Sequence, residues 1–454
     1  MKVHFIAIGG SVMHNLALSL RQKGYIVSGS DDEIFEPALS LLSVAGILPE
    51  RIGWYPEKIT PDIDAVILGM HARADNPELI RAKELGLKIF SFPAFVANQS
   101  QNKKRIVIGG SHGKTTTTSM LMHVLKYLGK DFDYLVGSRV EGFDLTVKLT
   151  PDAPIIVIEG DEYLSSALER VPKFHLYKPH IGLLTGIAWD HINVFPTFEN
   201  YVAQFALFVE TFPDGATLVY NLEDETLRQI ALFSKTSVQK VPYATPSYSI
   251  QEGKTKLIFE GKMYPLEIFG RHNLQNLEGA RQVCLQLGIS SEQFMEAIAS
   301  FKGAAKRLEL VARNERTTIY KDFAHSPSKL KATIEAVKEQ FPEKRLVSVM
   351  ELHTFSSLNK KFLKEYAGTM DASDEAIIYF NKHTLEHKQL PDVSVQEVRE
   401  AFKNKRVQVF NDKETMLDML YSQPWQNANL LMMSSGNFDG LDWQELSDKV
   451  VSDN

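Results

Sequence analysis

The stretch Arg105-Ile106-Val107-Ile108-Gly109-Gly110-Ser111-His112-Gly113-Lys114-Thr115-Thr116 restricts the possible folds more than any other part of the chain. A short β-branched run enters a glycine-bracketed turn. Lys-Thr-Thr then leads into the helix-compatible Ser119-Met120-Leu121-Met122-His123-Val124-Leu125. Strand, loop and helix N-terminus thus follow in the order a phosphate site needs. Glycines let backbone N–H groups turn toward phosphate oxygens, the helix end adds positive potential, and Lys114 supplies a mobile charge. Thr115 or Thr116 can offer a hydroxyl to Mg²⁺. The full phosphate-loop pattern has Gly where Ile108 stands, so the match is to a shorter Gly-x-x-Gly-Lys-Thr form. A plain Gly-rich turn capping a helix is the alternative, and the flanking strand and helix favour nucleoside triphosphate binding.

At 454 residues the chain is too long for one core, and its length points to about three domains. The first block, residues 1–101, alternates strand and helix signals. Val3–Ile8 reads as a buried strand, Tyr25–Asp31 as a second, and Ala65–Met70 and Leu87–Phe90 as two more. Such alternation implies a parallel sheet that binds ligands at the strand C-terminal ends. Gly9 and Gly10 follow the first strand, and Asp31 lies about 20 residues on, where a dinucleotide fold places its ribose acid. The glycine pattern is incomplete, and a nicotinamide oxidoreductase would leave the Lys114 loop unexplained.

The second block, residues 102–303, opens with the phosphate loop. It continues through Ile155–Glu162 and Ile181–Ile187, apolar runs with polar chemistry at their C-terminal ends. A doubly wound sheet would bring Glu159 and His191 toward the loop as candidate metal ligands. A solvated strand-end acid and a hydrogen-bonded loop histidine are the ordinary alternatives. Thr217–Met263, rich in short alternating segments, is expected to form a small β-rich insertion. The third block, residues 304–454, is again α/β, and in it Pro327 opens a helix after the strand ending at His325.

A net charge of −6 with mixed signs argues against a duplex nucleic-acid binder. Cys284 is the only cysteine, which rules out an intrachain disulfide or thiolate cluster and suits the cytoplasm. No apolar run approaches the roughly 20 residues that span a bilayer, so no membrane partner is expected.

Six motifs closely resemble the Mur ligase family, which builds the peptide stem of bacterial peptidoglycan. They are Gly110–Thr116, Glu159-Gly160-Asp161-Glu162-Tyr163, Trp189-Asp190-His191, Gly270–Asn276, Lys306-Arg307-Leu308-Glu309 and Asp322–Pro327. The resemblance covers nearly the whole chain. It implies a Rossmann-like N-terminal domain for a UDP-sugar, a central ATPase domain of the P-loop type, and a Rossmann-like C-terminal domain for the amine substrate. Gly9-Gly10 with Ser28-Gly29-Ser30-Asp31 resembles the subset that binds UDP-N-acetylmuramate, so Gly9, Gly10, Ser30 and Asp31 become expected substrate contacts. Members adding later amino acids usually carry a carbamylated lysine about fifteen residues after the metal-binding histidine. Here that place is Gln204-Phe205-Ala206, without lysine.

Within the subset one branch adds L-alanine to UDP-N-acetylmuramate, and the other attaches a recycled tripeptide, L-alanyl-γ-D-glutamyl-meso-diaminopimelate. Asp32–Pro37, Glu141–Asp144 and Met433–Gly440 look more like the tripeptide branch. Ser326, where the alanine branch usually has a second histidine, and the departure at Glu351–Phe355 point the same way. Tripeptide attachment in peptidoglycan recycling is therefore the expectation, with alanine addition as the alternative.

By resemblance, ATP binds at Gly110, Ser111, His112, Gly113, Lys114, Thr115 and Thr116, with Lys114 on the β/γ-phosphates. Thr115 and Glu159 would hold one Mg²⁺, and Glu159 with His191 a second. Asn273 and Asn276 correspond to adenine-side asparagines, Arg307 to a γ-phosphate contact and Asp322 to a ribose contact. His325 would orient the incoming amine or its carboxylate. Each has a plainer reading as well: Asn273 could cap the following helix, Arg307 and Glu309 could form a solvated ion pair, and His325 could bond backbone before Pro327.

Overall fold

Aliphatic runs become buried parallel strands wherever helices cover both sheet faces. Ala65–Leu68 is such a strand, with every residue buried. It lies in a four-stranded sheet ordered Ile26–Ser30, Lys2–Ile6, Ala65–Leu68, Ile89–Ser91, parallel throughout. The computed structural model describes residues 1–451 apart from positions 71, 306 and 405. Lys306, which opens one of the six motifs, lies outside the described residues.

The chain divides into two units, one holding Met1–Ile187, Glu199–Ala244 and Gly279–Ala297. The other holds Ala188–Phe198, Thr245–Glu278 and the chain from Ile298 on. Two stretches expected inside residues 102–303 therefore group with the C-terminal part, for reasons visible in their packing. Trp189 meets the Phe362 ring edge-on at 5.8 Å. Tyr248 and Thr255 hydrogen-bond Glu339 and Gln340 at the end of the helix Pro327–Gln340.

In the first unit a seven-stranded sheet carries the phosphate loop. Its order is Gln239–Tyr243, Thr217–Asn221, Ile181–Leu184, Lys104–Gly109, Ile155–Glu159, Asp133–Leu135, Val147–Lys148, with only the last pair antiparallel. The expected insertion over Thr217–Met263 is corrected by this arrangement. Its first half supplies two parallel strands of the main sheet, because Thr217–Asn221 is buried along its whole length. Only Tyr248–Gln251, Lys254–Phe259 and Lys262–Leu266 form a separate antiparallel sheet, in the second unit.

The second unit centres on a six-stranded sheet ordered Glu309–Arg313, Thr317–Asp322, Ala428–Met433, Arg345–Glu351, Glu375–Tyr379, Val407–Phe410. All pairs but the first are parallel. The two-residue period of a strand divides its core. Leu346, Met350, Ile378 and Leu431 face one hydrophobic layer, and Val347, Val349, Ile377 and Leu430 face the other. No helix among the described residues is long and apolar enough to cross a membrane.

Gly182, inside the strand Ile181–Leu184, shows how tightly the central sheet is packed. A Cβ there would lie 2.1 Å from Phe212 Cζ, and Phe212 meets Phe208 edge-on at 5.0 Å. Gly182→Ala must push that ring aside, and overpacking of this kind costs about 1–3 kcal/mol. The urea midpoint of the variant should fall accordingly, and an unchanged midpoint would mean that Phe212 yields freely.

Candidate active site

The phosphate loop leaves its strand at Gly109 and reaches the helix Lys114–Tyr127 through two left-handed glycines. Gly110 has φ of 137°, and a Cβ on it would stand 2.0 Å from Thr185 Oγ1. Gly113 occupies the N-cap with φ of 78°. Neither position tolerates a side chain without rearrangement. The loop is braced on the neighbouring strand end: Ser111 N–H donates to Gly186 O at 2.9 Å, and the Thr185 hydroxyl donates to His112 O. The His112 ring packs against Gly186, where a Cβ would come within 2.6 Å of Nε2. Thr116 is buried in the first helical turn.

Lys114 Nζ donates to Gly110 O and to Glu162 Oε2, each at 2.5 Å. Burial would push its pKa down, but Glu162, Asp161 and Glu159 outweigh that effect and hold it above the usual lysine range. The group is a cation at every working pH. Thr115 Oγ1 donates to Glu159 Oε1 at 2.9 Å, while Gly137 N–H donates to Glu159 Oε2, also at 2.9 Å. Thr115 and Glu159, 44 residues apart in sequence, thus meet at the loop. Glu162 received no role in the sequence reading. The clue was its place three residues beyond Glu159 at one strand end, where a second acid can turn inward.

Also in the first unit, a cavity of about 890 Å³ opens at the C-terminal end of the four-stranded sheet, lined in part by Gly9, Gly10, Asp31, Trp54, Arg73 and Arg139. Of the four expected substrate contacts, Ser30 does not line it. Its side chain is fully buried and its carbonyl accepts Ala7 and Ile8 N–H. Gly9 N–H donates to Asp31 Oδ2 at 2.6 Å. Burial nevertheless dominates and raises the Asp31 carboxyl to about 6.

In the second unit His191 has φ of 54°, a left-handed conformation uncommon for a non-glycine residue. Its carbonyl accepts Val194 and Phe195 N–H, and its own N–H donates to Asp190 Oδ1 at 2.8 Å. Asp190 Oδ2 lies 3.5 Å from Lys329 Nζ and 3.8 Å from His325 Nε2. Burial works to raise the Asp190 pKa, yet Lys329, His191 and His325 together hold it well below the carboxylate range. His325 Nδ1 bonds Phe323 O at 2.8 Å, so the plainer backbone reading of this residue is present. Burial, reinforced by Lys329, lowers its pKa to about 3 and leaves the ring neutral at working pH.

Asp322 joins two of the motifs. Its carboxylate accepts Leu308 N–H and Ala324 N–H, both at 2.7 Å. Arg307 lies over the Phe323 ring, 4.8 Å from its centroid. Glu309 pairs with Lys321 at 2.8 Å, its register partner on the next strand. Asn273 is no N-cap, since the helix Arg271–Gln286 starts before it and its Nδ2 donates to Phe269 O at 2.9 Å. Asn276, one turn on, is buried as well.

A parallel sheet whose central strand ends in a braced phosphate loop defines a nucleotide-binding α/β enzyme. Three family signatures then match in order along the chain: "Mur ligase family, catalytic domain" over residues 2–104, "Mur ligase middle domain" over 108–284, and "Mur ligase, glutamate ligase domain" over 306–436. The chain belongs to the Mur ligase family, with its three-domain architecture, and is an ATP-dependent, ADP-forming ligase. A curated UDP-N-acetylmuramate–L-alanine ligase of Sulfurihydrogenibium sp. (strain YO3AOP1) is 31% identical over 385 residues, covering 83% of this chain and 82% of the relative. Among solved structures, UDP-N-acetylmuramate-alanine ligase of Thermotoga maritima matches with TM-score 0.69 and 22% identity, covering 99% of this chain and 98% of that one. Murein peptide ligase of Psychrobacter arcticus matches with TM-score 0.67 and 22% identity over 100% and 99%. Both structural likenesses bear on the fold alone.

The Asp31 shift makes a signed pH prediction. A carboxyl whose pKa rises on folding favours the folded state below its unfolded value, near 4, and that contribution is lost as pH rises through about 6. Thermal midpoints of wild type and Asp31→Asn, read from pH 4.5 to 7.5, should diverge with the variant gaining relative to wild type at the upper end. A constant difference across that range would place the Asp31 carboxyl at its ordinary pKa.

Proposed function

We propose that the enzyme joins an amine to the lactyl carboxylate of UDP-N-acetylmuramate through an acyl phosphate. Carboxylate is a poor electrophile, so the γ-phosphoryl group of ATP passes to it first and the incoming amine then displaces phosphate. Such transfer needs positioning and charge neutralisation more than covalent help. The observation that carries the reading is Lys114, a half-buried cation at the mouth of the phosphate loop paired with the buried Glu162. We assign it to the β/γ-phosphates, with the loop residues Gly110–Thr116 around them.

The pairing of Thr115 hydroxyl with Glu159 carboxylate is a hard-oxygen donor set of the kind Mg²⁺ prefers. These two residues would hold one Mg²⁺, and Glu159 with His191 would hold a second. When bound, the ions neutralise phosphate charge. Asn273, Asn276, Arg307 and Asp322 keep the proposed adenine, γ-phosphate and ribose roles, and His325, neutral and tethered to Phe323 O, the proposed orientation of the amine. Gly9, Gly10 and Asp31 are proposed to meet the UDP-sugar in the 890 Å³ cavity.

For the amine donor, the names of the curated relatives support L-alanine over the tripeptide expected from the sequence motifs. The second reading, tripeptide attachment, keeps the support of Ser326 and of the Glu351–Phe355 loop.

The test is ATP-dependent phosphate release in the presence of UDP-N-acetylmuramate, with L-alanine and L-alanyl-γ-D-glutamyl-diaminopimelate offered separately. Stimulation by L-alanine alone is expected. Stimulation by the tripeptide alone would install the second reading, and stimulation by neither would overturn both. Lys114→Met should lower the stimulated rate by about 100-fold or more while leaving UDP-N-acetylmuramate binding within twofold.

A further inference from the structure

Tyr201 lies on the helix Phe198–Glu210 with no exposed surface, and its hydroxyl joins two residues of the phosphate site. It donates to Glu162 Oε1 at 3.0 Å and stands 2.8 Å from Ser111 Oγ. A phenol carries one hydrogen, so with that hydrogen on Glu162 it is the Ser111 hydroxyl that donates to Tyr201. The other Glu162 oxygen takes Lys114 Nζ at 2.5 Å. Ser111, Glu162 and Tyr201 are all buried. Two hydroxyls and a carboxylate, all buried, thus run in one chain to a half-buried ammonium, and inside a protein each hydrogen bond of such a chain polarises the next.

The Tyr201 hydroxyl and the Lys114 ammonium both draw on the charge of Glu162. A donor on Oε1 draws negative charge away from Oε2 and weakens the grip of the carboxylate on Lys114. Loss of that donor leaves more of the carboxylate charge to hold the ammonium. We propose that Tyr201 is a positioning residue for the phosphate-loop lysine, its hydroxyl acting through Glu162 to leave Lys114 available to nucleotide phosphate. This rests on the reading of Lys114 as the phosphate contact. The phenol comes from a helix 85 or more residues beyond the loop, so no local motif carries it.

Tyr201→Phe removes the hydroxyl and keeps the ring that meets Phe205 edge-on at 5.2 Å. ADP affinity would be measured by calorimetry for wild type, Tyr201→Phe, Lys114→Met and the double variant. Because the lost hydrogen bond reaches the nucleotide only through Glu162 and Lys114, its worth for binding is that of an ordinary hydrogen bond, and Tyr201→Phe should weaken ADP about five- to tenfold. In the Lys114→Met background the same change should alter affinity less than twofold, because the group it acts through is gone. Equal weakening in both backgrounds would make Tyr201 a packing residue and overturn the proposal, as would unchanged affinity in the single variant. Wild-type affinity in Lys114→Met alone would instead sink the reading of Lys114. Ser111→Ala, which removes the far end of the chain, repeats the comparison should Tyr201→Phe fold poorly, and additive loss there also counts against the proposal.

Discussion

Much of the first unit is arranged around one ammonium and the buried carboxylate that holds it. Glu162 has 1% of its side chain exposed and Lys114 13%, so the carboxylate cannot rely on water and needs the ammonium. Removing one partner of such a pair leaves the other desolvated and unpaired, at a cost of about 3–5 kcal/mol. The pair therefore imposes conditions on its surroundings. Gly110 must adopt a conformation that turns its carbonyl to Nζ, the strand Ile155–Glu159 must end beside the loop, and Glu162 must turn inward just past that end.

The same logic of burial and compensation recurs in the second unit with different residues. Asp190 is buried among Lys329, His325 and the His191 N–H, and Asp322 is buried with two backbone N–H groups. Each carboxylate orders a short irregular segment that no sheet or helix would otherwise fix. Asp190 holds the left-handed turn at His191, and Asp322 holds the turn through Arg307 and Leu308, whose φ is also positive. Side chains carried on loops need such anchors to be held in place, because loop backbone has few partners of its own.

Legibility followed distance along the chain. Strand runs such as Ile106–Ile108 and Leu346–Met350 were readable because burial on both faces leaves an uninterrupted aliphatic signal. The helix at Pro327 was readable because proline suits a first turn. From sequence Thr217–Asn221 reads as part of a β insertion, since a five-residue strand looks alike whether it extends a parallel sheet or begins a meander. The motif Ser28-Gly29-Ser30-Asp31 makes Ser30 an expected substrate contact, yet Ser30 is fully buried at its strand end and Asp31, just beyond the strand, lines the cavity.

The sequence alone determined the α/β class, the phosphate loop with Lys114, the family and the order of its motifs. All of these are encoded in contiguous residues, where propensity and spacing act over a turn or a strand. Only the tertiary structure decided that Glu162 and Tyr201 meet at Lys114, that Glu309 pairs with Lys321 on the next strand, and that Ala188–Phe198 packs with the C-terminal unit. Those outcomes depend on which strand lies beside which and on which buried charge needs a partner, and neither is set by neighbours along the chain.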